Sequence, residues 1–262
     1  MKLKGIWKYI IAVLIFTLTT VMLAVLGHKA KAEYKEVTCS GIKVEIAEQD
    51  GLNFVTVGDV KEYIAGSYGN CSGKRLEEID LARIEEILDG KSAILKSEAY
   101  TTRDGILHII ITQRVPVVRL VSGRGGWYAD SEGYLFPLQK NYTSRVPIVD
   151  GSIPLNIKSG FKGTPATAAE RQWLGGILDL VDFLSRNRRW DDAIAQIHVN
   201  GNGHVIIVPR KGREKFYMGR PEEFEKKFAK IENYYRYIVP EKGQDAYSYV
   251  NVSFDGQIVC RK

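Results

Sequence analysis

A chain of 262 residues that is 45% hydrophobic and 26% charged has the composition of a folded protein, and long disordered or low-complexity tracts are excluded. The formal net charge of +6 is uneven, because residues 1–32 hold five lysines and no acid, which leaves 32 basic against 31 acidic groups in the rest. A nearly neutral body argues against a nucleic-acid binder, which needs a basic patch, and puts the excess lysines where anionic lipid headgroups would meet them.

The first element is the uncharged run from Tyr9 to Leu26, after Lys2, Lys4 and Lys8. Eighteen residues at about 1.5 Å each give roughly 27 Å, close to the ~30 Å bilayer core, so a membrane-spanning helix is predicted, with residues 1–8 cytoplasmic. Ala30-Lys31-Ala32 has the look of a signal-peptide cleavage site, but the apolar run exceeds the ~7–15 residues usual for one. The positive-inside rule counts Lys29, Lys31 and Lys35 against the three leading lysines, and the default is a short inner N-terminus with the bulk of the chain outside.

From Tyr34 to Val115 the pattern predicts strand, helix, helix, strand, strand. Ile42, Val44 and Ile46 alternate in an extended segment, and Thr56 with Asp59 forms a capping box for a helix carrying Val57, Val60 and Ile64 and stopped by Gly66. Asp80 caps a second helix with Leu81, Ile84 and Leu88 on one face, ended by Asp89-Gly90. Strands around Ala93 to Arg103 and Ile106 to Thr112 are joined by Asp104-Gly105, a strong hairpin signal.

Pro116 opens a second module, 116–262, predicted as a mixed β domain with two packed helices. Its strands are Val117 to Val121, Trp127 to Ala129, Tyr134 to Pro137, Val146 to Val149, Ile194 to Asn200, His204 to Pro209 and Lys215 to Gly219. Thr167 and Glu170 make a capping box for a helix whose Trp173, Leu174, Ile177, Leu178, Val181 and Leu184 recur at helical spacing. A second helix is expected from Pro221 at N1 to Val239, with Phe224, Phe228, Ile231, Tyr235 and Ile238 apolar. Its opposite face, with Glu222 to Lys226 and Glu223 to Lys227 at i,i+4, is read as solvated or as a surface for a partner helix. Strands Tyr247 to Phe254 and Gln257 to Arg261, joined by Asp255-Gly256, close the chain. The fold class is therefore α+β.

Catalytic, cofactor and metal sites are not predicted. His28, His108, His198 and His204 lack metal-ligand spacing, and Gly123 to Gly126 lacks the dinucleotide fingerprint and its strand-to-helix context. Glu77-Glu78, Glu85-Glu86 and Asp191-Asp192 are consecutive and point apart. Asp130, Glu132 and Gly133 are explained by a turn, and no serine sits in a nucleophile elbow. Cys39, Cys71 and Cys260 form no CxxC; Cys39 and Cys71 are either a pair or two isolated small hydrophobes.

Several stretches resemble the bacterial cell-division family FtsQ, also called DivIB, in its Bacteroidota branch. They are Leu76-x-x-Ile79-Asp80, Ile84-Glu85-x-x-Leu88, the Asp104-Gly105 hairpin, Gln113 to Pro116, Tyr128 to Pro137, Arg145-Val146-Pro147 and Tyr249 to Phe254. Asn251 and Ser253 stand where the family often carries an acid and an arginine. The resemblance implies a polypeptide-transport-associated (POTRA) domain over 34–115 and a β domain over 116–262, periplasmic behind a span at 9–26 of the inner membrane. It implies a non-enzymatic scaffold without cofactors that recruits and holds FtsB (DivIC) and FtsL at the division septum. It places FtsB on the last strand, at Phe254, Gly256, Gln257, Ile258, Val259, Cys260 and Arg261. An edge strand suits strand addition because its unpaired N–H and C=O groups can extend the ladder. Without the resemblance, the same strand reads as an ordinary edge protected by Arg261 and Lys262, and the second reading of the chain, behind the anchored scaffold, is a cleaved, secreted hydrolase or thiol enzyme.

Overall fold

The computed structural model describes residues 13–26, 37–47, 51–139 and 142–262. Helix α1 covers residues 13–26, all exposed. It measures roughly 21 Å against the ~30 Å a span requires, and among the described residues no helix is long and apolar enough to cross a membrane. Residues 9–12 of the predicted span lie outside the described residues. Within α1 the hydroxyls of Thr17, Thr19 and Thr20 donate to carbonyls one turn back, at 3.0, 2.9 and 2.6 Å, so these three hydroxyls are satisfied within the helix.

The chain is α+β and divides into two compact units: one takes in the described residues up to 47 with Val55–Gln113, the other residues 51–54 with Arg114–Lys262. In the first, the order is β1 (Gly41–Ile46), α2 (Val57–Ser67), a 3-10 turn (Leu76–Glu78), α3 (Leu81–Asp89), β2 (Ile94–Thr101) and β3 (Ile106–Gln113). The Thr56 capping box forms with Asp59, and Asp80 accepts the Arg83 N–H at 2.9 Å. β3 is the middle strand, parallel to β1 and antiparallel to β2. Leu107, Ile109 and Ile111 of β3, Val60 and Ile64 of α2, and Ile84 and Leu88 of α3 are buried. Gly105 holds the hairpin at φ 84°, and a Cβ there would lie 2.6 Å from the Thr38 carbonyl oxygen.

The second unit carries β4 (Pro116–Ser122), β5 (Gly125–Asp130), β6 (Leu135–Pro137), β7 (Ile148–Gly151), α4 (Ala168–Arg186), the short α5 (Arg188–Asp191), β8 (Ile194–Val199), β9 (Val205–Pro209), β10 (Lys215–Gly219), α6 (Phe224–Asn233), α7 (Val239–Lys242), β11 (Tyr249–Asn251) and β12 (Val259–Arg261). They form one nine-stranded mixed sheet in the order β12-β11-β10-β9-β8-β7-β4-β5-β6. One face is core: Val118, Leu120, Val149, Ile197, Val205, Ile207, Phe216, Met218 and Val250 pack with Leu174, Ile177, Leu180, Val181 and Leu184 of α4 and with Phe224, Phe228 and Ile231 of α6. Each such side chain contributes about 1.5–3 kcal/mol by leaving water, which is why the two helices lie on this face. Gly176 is the close approach, since a Cβ on it would fall 2.0 Å from the Pro221 carbonyl oxygen. Pro116 begins β4, where its missing N–H costs least. Its neighbour Arg114 pairs with Asp130 at 2.8 Å, with both side chains nearly buried.

The last helix departs from expectation at both ends. Glu223 sits at φ 52°, in the left-handed region, so α6 starts at Phe224 and Pro221 lies outside it. After Asn233 the helix widens into a π turn, Tyr234–Ile238, and Pro240 enters at the start of α7 instead of ending the run. The expected solvated face is also corrected. Lys227 is buried and donates to the Arg220 carbonyl at 2.9 Å, while Glu223 pairs with Lys226 one turn apart. Burial holds the Lys227 ammonium below its ordinary pKa.

Candidate partner interface

The end of the chain builds the edge of the large sheet. β10 and β11 are parallel, with Lys215, Phe216 and Tyr217 opposite Tyr249, Val250 and Asn251. The Lys215 N–H donates to the Ser248 carbonyl at 2.9 Å and the Val252 N–H to the Tyr217 carbonyl at 3.1 Å, so the Ser248 carbonyl, the Val250 backbone and the Val252 N–H turn toward β10, while the Ser248 N–H donates to the Arg261 carbonyl at 3.0 Å. By alternation Tyr249 and Asn251 face β12, where they oppose Arg261 and Val259. Cys260 lies between and turns its N–H and C=O to the open side. Among the described residues no strand lies beyond β12.

The side chains alternate as well. Cys260 and Ile258 pack, half-buried, against the core, while Val259 and Arg261 lie on the other face. There the Arg261 guanidinium stands 5.9 Å from the centre of the Tyr249 ring, and Tyr249 lies 5.9 Å from Tyr217, whose hydroxyl meets His204. Burial pushes the Cys260 thiol up. A raised thiol is less often the reactive thiolate at neutral pH.

Only part of the expected docking strand is strand. Val259, Cys260 and Arg261 form β12 and Ile258 precedes it, whereas Phe254, Gly256 and Gln257 lie in the connecting loop. The loop has one local and one distant cause. The Asn251 side chain accepts from the Ser253 N–H at 2.8 Å and from the Ser253 hydroxyl at 2.7 Å, turning the chain out of β11. Lys230 of α6 donates to the carbonyls of Val252 and Phe254 and ties the loop to the helix. Gly256 makes the turn at φ 65°, and Phe254 is 48% exposed. The roles of Lys230 and Tyr217 are not legible in the sequence, since a lysine on a charged helix and a tyrosine in a strand carry no signal of what they reach across the fold.

The edge at β2 of the first unit is closed by contrast. The N–H groups of Ser97 and Ala99 point outward and are taken by the carboxylates of Asp89 and Glu85 on α3, both at 2.7 Å. An incoming strand there would have to displace two carboxylates. Glu86 turns the other way, to Arg83, as consecutive helical residues must.

The described histidines do not converge. His108 stacks on Tyr100 at 4.9 Å, His198 bonds Asp150 at 2.7 Å, and His204 meets Tyr217. Among the described residues no three of His, Cys, Asp and Glu are grouped to hold a metal.

Comparison with known families covers both units. Residues 115–261 match the family model described as FtsQ/DivIB, C-terminal related, and residues 37–112 match a POTRA-like domain. No curated protein matches the chain.

Proposed function

The chain belongs to the FtsQ/DivIB family, and on that premise we propose that it is a single-pass inner-membrane scaffold of the bacterial division machinery that recruits and holds FtsB- and FtsL-type partners at the septum, with its two units in the periplasm. A role in cell division follows from the family, whose domains, like the POTRA-like domain, are typically non-enzymatic scaffolds. The observation that carries the finer reading is the outer edge of β12. It ends the sheet of the matched domain, and Cys260 directs both of its backbone groups away from β11. An extended partner segment adds there as a tenth strand, with Phe254 and Val259 flanking it. Main-chain bonds supply affinity and the alternating side chains supply specificity.

The exposed apolar helix α1, after three lysines, supports the anchor, because a helix whose threonine hydroxyls bond within it leaves few polar groups to desolvate. Depletion tests the role: cells that lose the protein should elongate without dividing, and normal division without it would end the proposal. Carbonate extraction followed by N-terminal sequencing tests the anchor, for which an uncleaved chain in the membrane pellet is expected.

A further inference from the structure

Cys39 and Cys71 are both free thiols in the structure, buried in the first unit at 2% and 1% exposed. Residues 71–74 form a β-turn, closed by the Lys74 N–H on the Cys71 carbonyl at 3.2 Å, with Gly73 at φ 82° in the third position, as a type II turn requires. Both backbone groups of Cys39 bind the far side of that turn. Its N–H donates to the Lys74 carbonyl at 2.8 Å and its C=O accepts from the Gly73 N–H at 2.8 Å. The pairing continues through a bridge between Thr38 and Arg75 and a bond from the Leu76 N–H to the Val37 carbonyl at 3.0 Å. Each sulfur has only a weak polar contact, Cys39 with the Gly41 carbonyl at 3.5 Å and Cys71 with the Gly69 carbonyl at 4.0 Å. Burial raises the Cys71 thiol, and the nearby Cys39 raises it further.

We propose that Cys39 and Cys71 are the two halves of a structural disulfide, formed as the chain folds in an oxidising compartment, which staples the segment before β1 to the turn between α2 and α3. The two thiols lose two protons and two electrons as the Sγ–Sγ bond forms. A disulfide oxidant, either a dithiol–disulfide exchange protein or glutathione disulfide, accepts them and is reduced to two thiols. Two buried thiols exchange slowly, so pairing belongs to folding, before the core closes over them. Closing a loop of roughly 30 residues raises the folding equilibrium constant by a factor on the order of several hundred in the chain-entropy account. Formation in the cell rests on the periplasmic placement proposed above; formation in vitro does not.

The test uses the full chain, purified in detergent under reduction, unfolded, refolded in glutathione and glutathione disulfide, quenched with acid, alkylated and mapped by peptide mass spectrometry. A Cys39–Cys71 linked peptide with Cys260 alkylated is expected, together with a higher unfolding midpoint than the same chain after reduction. Three alkylated cysteines across the full range of glutathione ratios, or links through Cys260 alone, would overturn the pair. Alkylation trapping in whole cells separates the two readings. A pair that forms in vitro but is found reduced in cells overturns the disulfide in the cell and counts against the periplasmic placement, whereas a pair absent in vitro overturns the disulfide and leaves that placement untouched.

Discussion

Replacing Cys260 with proline separates the outer side of β12 from its inner side. The Cys260 N–H points away from β11, so proline deletes one donor offered to a partner and leaves the native bonds of Val259 and Arg261 in place. One lost backbone bond is worth about 0.5–1.5 kcal/mol net, or roughly 2- to 13-fold in affinity, and the ring also obstructs a strand laid alongside. A loss of tenfold or more is expected in a calorimetric titration with the purified FtsB-like partner. Val259→Pro is the mirror experiment, because that residue faces Asn251. It removes a ladder bond within the protein and leaves a carbonyl unpaired, at about 1–3 kcal/mol, so the unfolding midpoint should fall by several degrees. Cys260→Ser keeps the backbone donor and should bind as the parent does. A folded Cys260→Pro protein with unchanged affinity would refute docking at this edge.

Other perturbations probe the body that holds the edge. Arg114→Met leaves Asp130 nearly buried, with only the Glu132 and Tyr134 N–H groups donating to it. Thermal unfolding should show a loss of about 3–5 kcal/mol, largely recovered in the double variant with Asp130→Asn. Gly176→Ala puts a methyl into the Pro221 carbonyl and should cost about 1–3 kcal/mol by denaturant titration. Glu170 accepts from the Asn156 N–H at 2.6 Å, from the Thr167 N–H at 3.0 Å and from the Thr167 hydroxyl at 2.8 Å, and these bonds hold its carboxyl below the ordinary glutamate range. A depressed folded-state pKa contributes stability that is present above the unfolded value, about 4.3, and lost as pH falls through the folded one. Urea midpoints of Glu170→Gln should therefore fall less steeply with acidification than those of the parent.

Elements whose cause lies within three or four residues could be read from the chain itself. The capping boxes at Thr56 and Thr167 and the Asp104-Gly105 hairpin stand where their side chains and turn residues require. Leu174, Ile177, Val181 and Leu184 of the α4 stripe are buried as their spacing demands, with Leu180 added, while Trp173 and Leu178 are half-buried at its margin. Longer-range causes stayed hidden. Lys227 looked solvated because periodicity cannot show that the Arg220 carbonyl lies over it. The last two strands are shorter than their pattern predicts because Lys230, 22 residues before Val252, pins the loop from α6, and because the Asn251 side chain turns back on Ser253.

What the sequence by itself determined is therefore the inventory: an apolar N-terminal run, a βααββ unit, a β-rich unit with two amphipathic helices, and a final strand pair. These follow from local sterics and from the periodicity of burial. Tertiary structure alone decided the neighbours. It placed β7 between β4 and β8, ran β11 parallel to β10 so that β12 became the edge, and set Asp89 and Glu85 over the N–H groups of β2. Which backbone groups stay unpaired is a property of the whole sheet, because a strand presents the same donors and acceptors on both sides until a neighbour takes one of them.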